Sequence, residues 1–124
     1  FNSTYLNIVL IWNKGIAFGL LSFNESYLYN ILSFIISIIV VILVIMSLKS
    51  QGFKRYSLLM IVGGALGNLH DRIFFNAVPD FIDFHVGNFH WFIFNVSDIF
   101  ITLGVISMII LELADNKIEK QNND

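Results

Sequence analysis

The chain has no cysteine, a single proline (Pro79), and only 13% charged residues among its 124. Without cysteine there is no disulfide framework, no thiol nucleophile and no thiolate metal site, and the redox compartment stays open. With one proline, no part of the chain is a proline-rich linker. Soluble domains carry about 25% charged residues, so charge this sparse excludes an ordinary water-soluble globule. Seven basic residues against nine acidic ones, a net charge of −2, leave no basic footprint for nucleic acid. The opening "FNSTYLNIVL" has neither a basic n-region nor a cleavage site, so it is not a signal peptide. It also lacks an initiator methionine, and a further segment upstream of Phe1 is expected.

What the chain does have is apolar length. Hydrophobic residues make up 56% of it, with a mean hydropathy of +0.76. The run "SYLYNILSFIISIIVVILVIMSL", residues 26–48, carries no charge. At 1.5 Å per residue it is long enough to cross a hydrocarbon core of about 30 Å. A second span is expected over 56–75 and a third over 92–113, followed by a polar, solvated tail over 114–124. Lys49, Lys54 and Arg55 lie between the first two spans, and Lys117 and Lys120 follow the third. The positive-inside rule makes that side cytoplasmic. The remaining segments, 4–23 and 76–91, mix aromatic residues with polar ones and are expected to lie at the opposite membrane surface. The whole chain, 1–124, reads as a single integral-membrane domain.

Polar residues converge at that opposite end. Asp98 interrupts the third apolar run, where a charged aspartate at a helix centre costs roughly 2.5–3.5 kcal/mol. Asn95 precedes it by three positions and shares its helix face. Asn68, Asp71 and Arg72 lie near the matching end of the second span, and Asp80 and Asp83 fall in the loop between. Each has a structural reading. Asp71 and Arg72 can tie down a helix end, Asp98 can be a protonated packing residue, and Asp80 can be a turn residue after Pro79. Together, Asp80 and Asp98 point to an aspartic peptidase dyad, in which one carboxyl keeps a proton and its neighbour acts as base. His70, His85 and His90 near these acids raise a metal site, but no HExxH-like spacing supports it. Ser97 lacks the Gly-x-Ser-x-Gly turn of a serine hydrolase. A proton-relay transporter would want acids at mid-bilayer on several spans, and a catalytically inert homologue would keep the same pattern without activity.

Four strings, in order along nearly the whole chain, resemble those of the lipoprotein signal peptidases, the type II signal peptidases of bacteria. "NKGIAFG" (13–19) resembles an Asn-x-Gly-x-Ala-Phe box, and "GGALGNLHDRI" (63–73) a Gly-x-x-x-Asn-x-x-Asp-Arg box. "AVPDFIDF" (77–84) and "FNVSD" (94–98) resemble the segments that supply the two catalytic aspartates. The resemblance implies Asp80 and Asp98 as catalytic residues, and Asn13, Gly15, Asn68, Asp71, Arg72 and Asn95 as residues that shape the site and hold substrate. It implies no cofactor and no metal. The implied fold is an all-α membrane protein, a bundle of transmembrane helices with three spans present and four expected for the family, beside a small interfacial β-cradle. The cradle would take in 4–23, and 73–91 would carry a flap-like helix over the site. The implied activity is removal of signal peptides from diacylglyceryl-modified prolipoproteins, cut before the lipidated cysteine and blocked by globomycin. The enzyme would act as a monomer among membrane lipids of the bacterial inner membrane, its site facing the outer leaflet. Ser97 stands where the family usually has alanine, and Phe92 where a proline often precedes the last box.

Overall fold

Isoleucine and valine are middling helix formers in water. In lipid the backbone has no water to bond, so a spanning segment satisfies its N–H and C=O groups internally and becomes helical whatever its intrinsic propensity. The computed structural model describes residues 2–13 and 26–124. Their order is β1 (Leu6–Asn13), α1 (Ser26–Lys49), α2 (Gly52–Phe75), β2 (Val78–Val86), β3 (Phe89–Phe94) and α3 (Val96–Asn123). All three helices are long and apolar enough to cross a membrane. Their most apolar windows are only 17%, 28% and 11% buried within the protein. Large apolar side chains such as Phe34, Ile38, Leu66, Ile106 and Ile110 therefore face outward, which suits lipid as the solvent and not water. The chain is an all-α membrane protein with a small open sheet.

α2 is the central helix, packed against α1 on one side and α3 on the other. Its contact with α3 is close because the meeting residues are small, the usual device of membrane helix pairs. A Cβ at Gly64 would come within 2.5 Å of the Ser97 carbonyl oxygen, and one at Gly104 within 2.8 Å of the Ser57 carbonyl oxygen. At the C-terminus of α2, Asn76 adopts the left-handed conformation (φ 57°, ψ 14°), and its N–H bonds to the Arg72 carbonyl at 3.0 Å. This αL cap turns the chain through buried Ala77 and Val78 straight into β2.

The strands form one antiparallel sheet in the order β1-β2-β3. Asn13 pairs with Val78 and Leu6 with Phe84, with a bulge in β1 between Ile8 and Ile11. A two-residue turn at Gly87–Asn88 joins β2 to β3, where Val86 faces Phe89. The segment expected as an outer loop or flap-like helix is thus a β-hairpin. Within it, Ile82, Phe84 and Val86 alternate with Asp83 and His85, the period of a strand. The cradle expectation for 4–23 is met at β1, and 14–23 lies outside the described residues. α3 begins at Val96, four residues later than expected, because β3 uses Phe89–Phe94. It continues to Asn123 through the stretch expected as a tail. Ala114, Lys117, Glu119, Lys120 and Gln121 there are good helix formers, so the helix carries on as an exposed extension.

Gly104→Ala puts a methyl group against the Ser57 carbonyl and Ile61 and should cost about 1–3 kcal/mol. Gly63→Ala meets nothing within 4 Å and should leave stability unchanged or raise it. Thermal unfolding of the two variants in the same detergent, compared with the parent chain, tests the order.

Candidate active site

Asp98 is tolerable because it is not at a helix centre. Asn95 is the N-cap of α3 and Asp98 is the third helical residue. The two form a reciprocal capping box. The Asp98 N–H donates to Asn95 Oδ1 at 3.0 Å, and the Asn95 N–H donates to Asp98 Oδ2 at 3.2 Å. A carboxylate here satisfies an otherwise orphaned donor and sits at the positive end of the helix dipole. The Asn95-x-x-Asp98 spacing carried this signal, although it is equally the spacing of two residues on one helix face.

From this cap a network spreads over three further elements. Asn68, on α2, donates through Nδ2 to Asp98 Oδ1 at 2.9 Å. Asn95 Nδ2 donates to Asn68 Oδ1 at 3.1 Å and to Asp80 Oδ1, on β2, at 2.8 Å. Asn13, the last residue of β1, donates through Nδ2 to Asp80 Oδ2 at 3.0 Å. Asp80 and Asp98 are each 2% exposed, so each needs its donors. Every oxygen of both carboxyls accepts one such bond and keeps capacity for another. Asn95 touches both acids.

Burial is the main reason that the Asp80 carboxyl is pushed up to about 6 from the ordinary 3.8. The hydrogen bond from Asn13 opposes the rise, the charge of Asp98 adds to it, and Asn95 and the Arg72 guanidinium oppose it.

Arg72, near the C-terminus of α2, is 4% exposed, and its Nε and Nη2 are buried without a hydrogen-bond partner among the described residues. Its carbonyl receives, besides the cap, a long bond of 3.4 Å from the hydroxyl of Tyr29 on α1. The sequence reading had no role for Tyr29. Its only signal was a phenol one turn inside an uncharged span, at the end where the other polar groups gather. Asp71 stands apart, with its carboxylate 3.2 Å from Nδ1 of exposed His70. Gly15 lies outside the described residues. Ser97 faces α2, where a Cβ on Gly67 would come within 2.5 Å of its hydroxyl oxygen. Among the described residues, no three His, Asp or Glu side chains are grouped to hold a metal ion.

The arrangement can hold two carboxyls, supply a proton from one and accept a proton on the other. Known proteins share its sequence and shape. The family model described as signal peptidase (SPase) II matches residues 1–114. The lipoprotein signal peptidase of Pelagibacter ubique (strain HTCC1062) is 51% identical over 120 residues, 97% of this chain and 71% of that protein. That of Anaplasma phagocytophilum (strain HZ) is 46% identical over 112 residues, 88% of this chain and 70% of that protein. A bacterial membrane enzyme solved by the in meso method at 1.9 Å resolution superposes with a TM-score of 0.73 at 34% identity, covering 93% of this chain and 74% of its own. A second such structure, at 2.3 Å, gives 0.72 at 31% identity, covering 94% of this chain and 70% of its own.

The raised Asp80 value fixes the sign of a pH effect. The folded protein holds this proton more tightly than the unfolded chain. Asp80's contribution to stability is therefore complete below about 3.8 and is lost as the pH rises through about 6. Asp80→Asn is neutral throughout and lacks that loss. The melting temperature of Asp80→Asn relative to the parent should rise as the pH climbs across this window, and a constant difference would contradict the assignment.

Proposed function

The chain belongs to the signal peptidase (SPase) II family, and from that premise we propose that it is an intramembrane aspartic endopeptidase of lipoprotein maturation. Its substrate is a prolipoprotein carrying diacylglycerol on a cysteine, and it cuts the peptide bond before that cysteine. The observation that carries the reading is that Asn95 donates to both buried acids, through Nδ2 to Asp80 and through its backbone N–H to Asp98.

In the proposed reaction, the ionised member of the pair takes a proton from a water molecule, whose oxygen attacks the scissile carbonyl carbon. The protonated member donates a hydrogen bond to the oxygen that becomes negative. Collapse of the tetrahedral species breaks the C–N bond, and a proton passes to the departing nitrogen. The products are a signal peptide with a free carboxylate and a lipidated cysteine with a free amine. The shared proton belongs to the pair and is not assigned to either residue. Asn13, Asn68 and Asn95 hold the carboxyls in place. The unpartnered Nε and Nη2 of Arg72 suit them to a carbonyl oxygen of the bound peptide, since a buried donor gains most from an acceptor.

The membrane supports the substrate class. Asp98 lies at the start of α3 and Asn68 and Arg72 near the end of α2, while Lys49, Lys54 and Arg55 cluster at the opposite ends of α1 and α2. With those cations on the cytoplasmic side, the acids face the outer leaflet of the bacterial inner membrane. A cysteine anchored there by acyl chains meets them with its chains still in lipid, and each CH₂ left undisturbed is worth about 0.8 kcal/mol.

Asp80→Asn and Asp98→Asn should each abolish cleavage of a diacylglyceryl-modified precursor, a loss of at least about 10³-fold, while the protein still inserts and melts cooperatively. Full activity in either variant would reject the pair as the catalytic centre.

A further inference from the structure

A third buried acid, Asp83, follows Asp80 on β2 and is only 3% exposed. Residues three apart on a strand project from opposite faces, so Asp83 turns away from the two acids of the site. His90, on β3, meets it instead. His90 Nδ1 lies 2.8 Å from Oδ1 and 2.7 Å from Oδ2 of Asp83. The ring of buried His85 lies 5.4 Å from that of His90, tilted by 41°.

We propose that Asp83 and His90 are a positioning pair that fixes the register of the β2–β3 hairpin and thereby holds Asp80 against Asn95; this rests on the catalytic role proposed for Asp80. The hairpin contains a bulge. Phe84 faces Phe92 but His85 faces His90, so β3 carries one extra residue, Trp91. A bulged ladder has a close competitor, the same strands paired without the bulge. That pairing moves the end of β3 along β2 by one residue, about 3.3 Å. Asn95 directly follows β3, and a shift of that size breaks its 2.8 Å bond to Asp80. Asp83 and His90 straddle the bulge, Asp83 opposite Ile93 on one side and His90 opposite His85 on the other, so their hydrogen bond ties β3 to β2 across the point where the two pairings diverge. A carboxylate so buried needs its donor. In the observed register both of its oxygens reach His90.

The test is cleavage of a diacylglyceryl-modified precursor peptide by the full chain in mixed lipid–detergent micelles, with Asp80→Asn as the control. Asp83→Leu and His90→Phe should lower kcat about 10- to 100-fold, the penalty of a misplaced catalytic group, with KM within about twofold. His90→Asn places an amide N–H where Nδ1–H was and should recover kcat to within about threefold. The double variant Asp83→Leu/His90→Phe should be no slower than the worse single, as expected of two residues acting as one unit. An unchanged kcat in His90→Phe, a loss confined to KM, or a His90→Asn as slow as His90→Phe would each overturn the proposal. If Asp83→Leu does not fold, half-exposed His90 decides through its own two variants. An active Asp80→Asn would overturn the proposed function, and the pair's assigned purpose with it, whatever the pair's own variants do.

Discussion

Two buried carboxyls need donors that bring no bulk water with them, and here one residue, Asn95, donates to both, through its side-chain amide to Asp80 and through its backbone N–H to Asp98. Asn95 caps α3, accepts from the Asp98 backbone, and gives its two amide hydrogens to Asn68 and Asp80. It joins a helix cap, a helix pair and a sheet at one residue. The cap determines where α3 starts, and so where Asp98 lies. The bond to Asp80 determines how the hairpin meets the helices. Asparagine suits the position because it both donates and accepts without carrying a charge. An aspartate would add a third negative charge, and a serine could not reach both partners.

The rest of the fold works toward that junction. α2 sits between its neighbours with an α3 interface of small residues, so α3 approaches closely enough for Asn68 to reach Asp98 at 2.9 Å. The αL cap at Asn76 brings the chain from Arg72 to Asp80 in eight residues, with no long loop between. In this chain the proposed acids lie where the helices end and the sheet begins.

Much of this was legible in the sequence, but unevenly. Hydropathy located the three spans, because about 20 predominantly apolar residues have few soluble alternatives. The gathering of Asn68, Arg72, Asp80, Asn95 and Asp98 at one end followed from counting along those spans. Asp98 was read as buried within a helix because its apolar flanks, Ile93 and Phe94 before it and Ile99 and Phe100 after it, look continuous. Only the cap geometry divides β3 from α3. The hairpin at 78–94 was hidden for the opposite reason. Strict alternation runs only over Ile82–Val86, the sequence of β3 is aromatic at four of its six positions, and one bulge shifts the period. Asp83 and His90 were visible as an acid and a histidine, but a diagonal pair seven residues apart becomes apparent only once the strands are paired. Asp71 was grouped with the site because it follows Asn68 by three, the spacing of Asn95 and Asp98. On a helix, adjacent residues point about 100° apart, and the structure turns Asp71 toward His70.

The central claim is that Asp80 and Asp98 act on one scissile bond from the two sides of a single site. Its most direct test is the structure of this protein bound to a diacylglyceryl-cysteine peptide in which a hydroxyethylene group replaces the scissile amide. The account predicts the inhibitor hydroxyl between the two side chains, within about 3.2 Å of a carboxyl oxygen on each. A hydroxyl held elsewhere, with either acid turned from it, would contradict the account.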